Sequence, residues 1–81
     1  MILPGKHLRQ DRALLSVGGD ILSVLAGPAQ VSELWDRVLR LRSAREGSSP
    51  LTFDWFVLAL SLLYAMGAID HADGMVVRAG S

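Results

Sequence analysis

Thr52 to Arg78 read TFDWFVLALSLLYAMGAIDHADGMVVR, and this stretch decides the fold. Thr52 is a good N-cap, and Asp54 suits a first helical turn, where backbone N–H groups lack partners and the helix dipole is positive. Apolar residues then continue through Met66 to Gly67, a natural residue just past a helix end. After Thr52 the helix carries only two polar positions, Asp54 and Ser61. At about 100° per residue these lie about 20° apart, flanked by Val57, Leu58, Tyr64 and Ala65. Trp55, Phe56, Ala59, Leu63 and Met66 fall on the opposite side and are assigned to the core. Past Gly67 the period changes to two. Ala68–His71 and Met75–Arg78 pattern as strands, and Asp73-Gly74 between them is a strong tight-hairpin signal.

Working back toward the N-terminus, Ser32 to Arg42 patterns as a second helix with Ser32 as N-cap. Val31, Leu34, Trp35, Val38 and Leu41 form its buried stripe; Glu33, Asp36, Arg37 and Arg40 form its wet face. Glu46-Gly47-Ser48-Ser49-Pro50 is built of turn residues. A first helix runs from Asp11, its N-cap, to Leu25, and Gly27-Pro28 stops it. Leu14, Val17, Gly18, Ile21, Leu22 and Leu25 share one face, with Ser16, Asp20 and Ser23 opposite. Gly18-Gly19 costs roughly 1 kcal/mol per glycine relative to alanine, which either close helix packing at Gly18 or a kink would explain. Residues 1–10 hold two breakers, Pro4 and Gly5, and read as an N-terminal arm. Helix, helix, helix, hairpin is the order of a winged helix-turn-helix, with residues 68–78 as the wing. The expectation is a mainly α fold with a small β-hairpin, one domain over residues 1–81.

Composition agrees with a single small domain. Eighty-one residues are 51% hydrophobic and contain no cysteine, so neither disulfides nor thiolate metal sites support the core. A chain this short buries only about 60% of its unfolded surface, so part of its apolar surface is expected to face another chain. The longest uncharged run, Trp55 to Ile69, is too short to span a bilayer, which takes about 18 residues or more. A cytoplasmic protein with no membrane partner is the expectation. Eight basic residues balance eight acidic ones, whereas dedicated nucleic-acid binders show a basic excess.

The third helix also lacks the chemistry of a groove reader. It has no Arg, Lys, Asn or Gln to reach base edges, and Asp54 would be repelled by phosphate. Its wet face, Asp54, Val57, Leu58, Ser61 and Tyr64, suits protein contact instead; Ile2 and Leu3 of the arm are the alternative cover. The cations lie elsewhere. Lys6, Arg9 and Arg12 gather near the N-terminus, Arg37, Arg40, Arg42 and Arg45 near the end of the second helix, and Arg78 on the wing. Lys6, Arg9, Arg12, Arg37, Arg40, Arg45 and Arg78 are candidates for contact with phosphate or an acidic partner; a solvated, partly ion-paired surface is the plainer reading. Catalysis finds no support. His7 and His71 stand far apart, and no ligand set for a metal or cofactor and no nucleophile motif is visible.

The residues that carry these readings resemble a known family. Ile2-Leu3-Pro4-Gly5-Lys6-His7-Leu8, the run Asp11 to Gly18, Val31-Ser32-Glu33-Leu34-Trp35, Thr52-Phe53-Asp54-Trp55-Phe56 and Leu62 to Ile69 together resemble the small middle components, type six, of prokaryotic ABC three-component systems. The resemblance covers almost the whole chain. It implies a winged helix subunit encoded beside an SMC-like or RecN-like ABC ATPase and a variable effector, in a system directed against phages and plasmids. The implied role is an adaptor between ATPase and effector, without catalytic residues. Two other readings stay open: a small winged helix DNA-binding regulator that touches phosphates through arm and wing, non-specifically, and a self-dimerising component.

Overall fold

Three helices precede one hairpin in the computed structural model, which describes residues 4–45 and 50–79, with side chains from residue 13 onward. Helix α1 spans Pro4–Val24. The arm expected over residues 1–10 is thereby corrected, since Pro4 to Gln10 are helical and Asp11 is an interior residue rather than an N-cap. Proline breaks helix interiors, but its fixed φ and missing N–H fit the first turn. Lys6 through Gln10 then contain no β-branched residue to oppose the helix. Ile2 and Leu3, the expected alternative cover for the third helix, lie outside the described residues, as do residues 46–49 of the expected loop.

The glycine pair leaves α1 unbroken. Gly18 packs against α3 so closely that a Cβ there would sit 3.3 Å from Leu63 Cδ2, while Gly19 has open space around it. Close packing is therefore the reason for Gly18. Val17, Ile21 and Leu25 of α1 are buried, as the helical spacing predicts.

Helix α2 spans Val31–Ser43. Its N-cap is Gln30 and not Ser32; the Gln30 backbone N–H donates to Glu33 Oε1 at 3.3 Å. Between α1 and α2, Ala29 pairs with Val76 of the wing. The Ala29 N–H donates to Val76 O at 3.1 Å and the Val76 N–H to Ala29 O at 2.8 Å. That bridge ties the turn after α1 to the far end of the chain.

Helix α3 spans Phe53–Ala65. Thr52 Oγ1 accepts the Trp55 N–H at 3.3 Å, as an N-cap should. At the other end Gly67 takes φ +74°, which lets its N–H reach Tyr64 O at 3.0 Å and the Ala68 N–H reach Leu63 O at 2.9 Å. This paired 5→2 and 6→1 closure is a Schellman motif, and it delivers the chain directly into the hairpin. Strands β1 (Ile69–Ala72) and β2 (Met75–Arg78) pair antiparallel, Ile69 opposite Arg78 and Ala72 opposite Met75. Asp73 and Gly74 both have positive φ, 54° and 75°, the condition of a type I′ turn.

The core joins all of these elements. Phe56, Ala59, Leu60 and Leu63 of α3 meet Val17, Ile21, Leu25, Leu34, Val38, Ile69 and Val76. One assignment on α3 is corrected, since Met66 is 60% exposed, and Leu60, placed on neither side by the sequence, is buried. The buried arc is centred between Phe56 and Leu63, which brings Leu60 inside and leaves Met66, the C-cap, on the margin. Three helices and a two-stranded hairpin make a mainly helical, small winged helix-like fold.

Candidate interaction face

The third helix is amphipathic by position rather than by polarity. Its inner side is core, and its outer side exposes Asp54, Val57, Leu58, Ser61 and Tyr64 together. Val57 is 41% exposed, Leu58 50% and Tyr64 42%. Ser61 Oγ donates to Val57 O at 3.0 Å, so its hydroxyl is satisfied within the helix and adds little polarity to the face. Asp54 is the helix's only charge, and among the described residues its carboxylate meets no cation.

Phe53 belongs to the same face and is a residue that the sequence reading missed. It is 48% exposed. Its ring stands edge-on to Trp35, with centroids 5.3 Å apart and planes at 86°, and lies 5.8 Å from Phe56. Trp35 also contacts Phe56 at 5.2 Å, so an aromatic trio fastens the start of α3 to α2. The available signal was spacing, because Phe53 precedes Val57 by four residues and so shares its side of the helix.

Several of the cations are turned inward. Asp20, expected on the wet side of α1, is buried. Its Oδ2 accepts from Arg42 Nη1 at 3.0 Å and Arg45 Nη1 at 3.3 Å, and its Oδ1 from Arg45 Nη2 at 2.6 Å. Two guanidinium groups from the end of α2 thus compensate a desolvated carboxylate. Arg37 Nη2 meets Glu33 Oε2 at 3.5 Å, and its Nη1 donates to Val24 O at 3.3 Å. Arg78 Nε donates to Leu25 O at 2.9 Å, and its Nη2 donates to Leu22 O. The last turn of α1 contains no basic residue of its own. Its negative dipole end is instead capped by arginines from α2 and β2. Arg40 is exposed. Lys6, Arg9 and Arg12 lie on α1, with side chains outside the described set.

A cleft of about 250 Å³ between α1 and the start of α3 is lined by Ala13, Ser16, Val17, Arg42, Leu51 and Trp55. It is smaller than the pockets of roughly 300–1,000 Å³ that hold organic ligands. Among the described residues no group of three His, Asp or Glu side chains could hold a metal ion. His71 is an exposed strand residue whose backbone N–H donates to Asp70 Oδ1 at 2.8 Å. No described helix is long and apolar enough to cross a membrane.

A family model described as ABC-three component (ABC-3C) system Middle Component 6 matches residues 3–79. No curated protein and no solved structure matches the chain. Because that match spans all three helices from near the start of α1 and both wing strands, the chain belongs to the ABC-three component system middle component 6 family.

Proposed function

We infer that this chain is a non-enzymatic adaptor, which joins an SMC-like or RecN-like ABC ATPase to an effector by protein–protein contact within an antiphage system. One observation carries the reading: the outer face of α3, where a groove-reading winged helix would be polar, exposes Val57, Leu58 and Tyr64 around one carboxylate. Exposed apolar side chains grouped on one helix face favour a protein partner over water. Asp54 is unsuited to phosphate. Arg37, Arg45 and Arg78 each spend donors on acceptors within the chain, which leaves fewer of them for phosphate although the groups keep exposed area.

Co-expression with the neighbouring ATPase and effector genes tests the reading. The wild-type chain is expected to pull down both, and the Val57→Asp/Leu58→Asp variant to lose at least one while remaining folded. Full retention of both by the folded double variant overturns the assignment of this face.

A further inference from the structure

We propose that Asp70 closes the outer edge of the wing: its carboxylate occupies the outward-facing N–H of His71 in β1, and so keeps the hairpin from adding a further strand. The proposal goes beyond the adaptor reading and does not depend on it.

The register fixes which backbone groups face outward. Along an antiparallel strand the residues point their N–H and C=O groups alternately toward the paired strand and away from it. Val76 spends both of its groups on Ala29, away from β1, and the Ala79 N–H donates to Ala68 O at 3.1 Å across the ladder. By that alternation Asp70 and Ala72 face Val77 and Met75, whereas Ile69 and His71 turn their N–H and C=O groups to the open side. Ile69 is buried at the root of the wing, while Asp70, His71 and Ala72 are exposed. Among the described residues no main chain pairs with that side of β1. His71 is therefore the point at which an added strand would take hold.

That point is already taken. The His71 N–H donates to Asp70 Oδ1 at 2.8 Å. Val76 stands opposite His71, and its own N–H is held by Ala29 O at 2.8 Å. One rung of the hairpin is thus closed on both sides, by main chain on one and by a side chain on the other. An incoming strand must bring a carbonyl to the His71 N–H, where it meets a carboxylate oxygen, acceptor against acceptor. It must either displace that carboxylate or strip water from it, and desolvating an ionised carboxylate is strongly unfavourable. Charged side chains on an edge strand are a general means of keeping a sheet from pairing with other chains. Here the charge is also bonded to the donor that such pairing needs.

Two substitutions at this exposed position separate the bond from the charge. Asp70→Ala removes both, and Asp70→Asn removes the charge but keeps an oxygen that can accept. Both are read on the full chain, with circular dichroism confirming that each is folded. In dilute solution the His71 amide of Asp70→Ala should exchange about fivefold faster than in the wild type, after correction for each sequence's intrinsic rate, which is the factor that one ordinary hydrogen bond carries. In Asp70→Asn it should stay near the wild-type value. On concentration toward about 1 mM, Asp70→Ala should sediment as a more associated species than the wild type, and its His71 amide should regain protection. An unchanged His71 amide in dilute Asp70→Ala overturns the proposal, as does an Asp70→Ala chain that sediments like the wild type over the whole range. Association of Asp70→Asn as ready as that of Asp70→Ala also overturns it, because charge alone would then guard the edge.

Discussion

Asp20 and Arg45, twenty-five residues apart, form a 2.6 Å contact that holds the end of α2 against the middle of α1. The carboxylate is nearly inaccessible, with a side chain 7% exposed, whereas Arg45 is about half exposed and Arg42 largely covered. Removing the carboxylate takes a charged acceptor away from the desolvated Arg42. Asp20→Ala should therefore destabilise the chain by about 2 kcal/mol, less than the 3–5 kcal/mol of a fully buried pair because Arg45 can turn to water. Arg45→Ala should cost less, about 1 kcal/mol or below. Urea denaturation of the two variants checks the order, and equal losses would contradict it.

Arg78 does for the C-terminus of α1 what no residue of α1 can. By donating to Leu22 O and Leu25 O it satisfies carbonyls at the negative end of the dipole and fixes β2 to them. Arg78→Met keeps much of the stem but loses the donors, so a loss of about 1 kcal/mol is expected. The loss should be local. Hydrogen exchange ought to quicken at Val76 and Ala29, the backbone bridge beside it, before it quickens in α3. Uniform acceleration across all elements would show that Arg78 is not a latch.

The residues that surprised are those whose partners come from afar. The order of three helices and a hairpin, the Thr52 cap, the Gly67 stop and the Asp73-Gly74 turn are local features, written in period and turn chemistry, and they stand as the sequence has them, whereas the starts of α1 and α2 do not. Pro4 misled because a breaker and a first-turn residue look alike until the neighbouring helix is seen. Asp20 lies three residues after Val17 and so borders the buried stripe by helical geometry alone, yet its polarity assigned it to solvent. Only the arrival of Arg42 and Arg45 from α2 makes its burial tolerable, and no periodicity encodes that arrival. The α3 face was legible because it is a contradiction within one element, an apolar surface on the side left after the core is filled. Phe53 escaped because it sits at the helix start, where the face's spacing is hardest to phase.

The adjacent glycines of α1 should respond in opposite directions. At Gly19 nothing lies within 4 Å of a built Cβ, so Gly19→Ala should gain helix propensity and stabilise by up to about 1 kcal/mol. At Gly18 the same methyl meets Leu63 Cδ2 at 3.3 Å. Moving Leu63 then offsets part of the propensity gain, and Gly18→Ala should be near neutral. Gly18→Val cannot be relieved by one rotamer and should cost about 1–3 kcal/mol through overpacking. Thermal melts of the three variants check the sequence of effects. A stabilising Gly18→Val would mean that α1 and α3 are not in close contact there.

Contact with DNA should be weak and indifferent to sequence, for reasons that differ between the charged groups. Each phosphate that a cation neutralises adds about 0.9 to the steepness with which log K falls against log salt. Arg37, Arg45 and Arg78 hold acceptors inside the chain but keep exposed area; substituting any of them should lower stability and reduce that slope by less than the share of one phosphate. Arg40 is exposed and able to contribute, so Arg40→Ala should reduce whatever slope exists by at most the share of one phosphate. If α3 is a protein-contact face and stays out of the groove, Val57→Asp should leave binding to duplex unchanged. Fluorescence anisotropy with two unrelated duplexes at two salt concentrations measures each of these. A tenfold preference for one sequence, lost on substitution in α3, would restore the groove-reading role that the chemistry of this helix argues against.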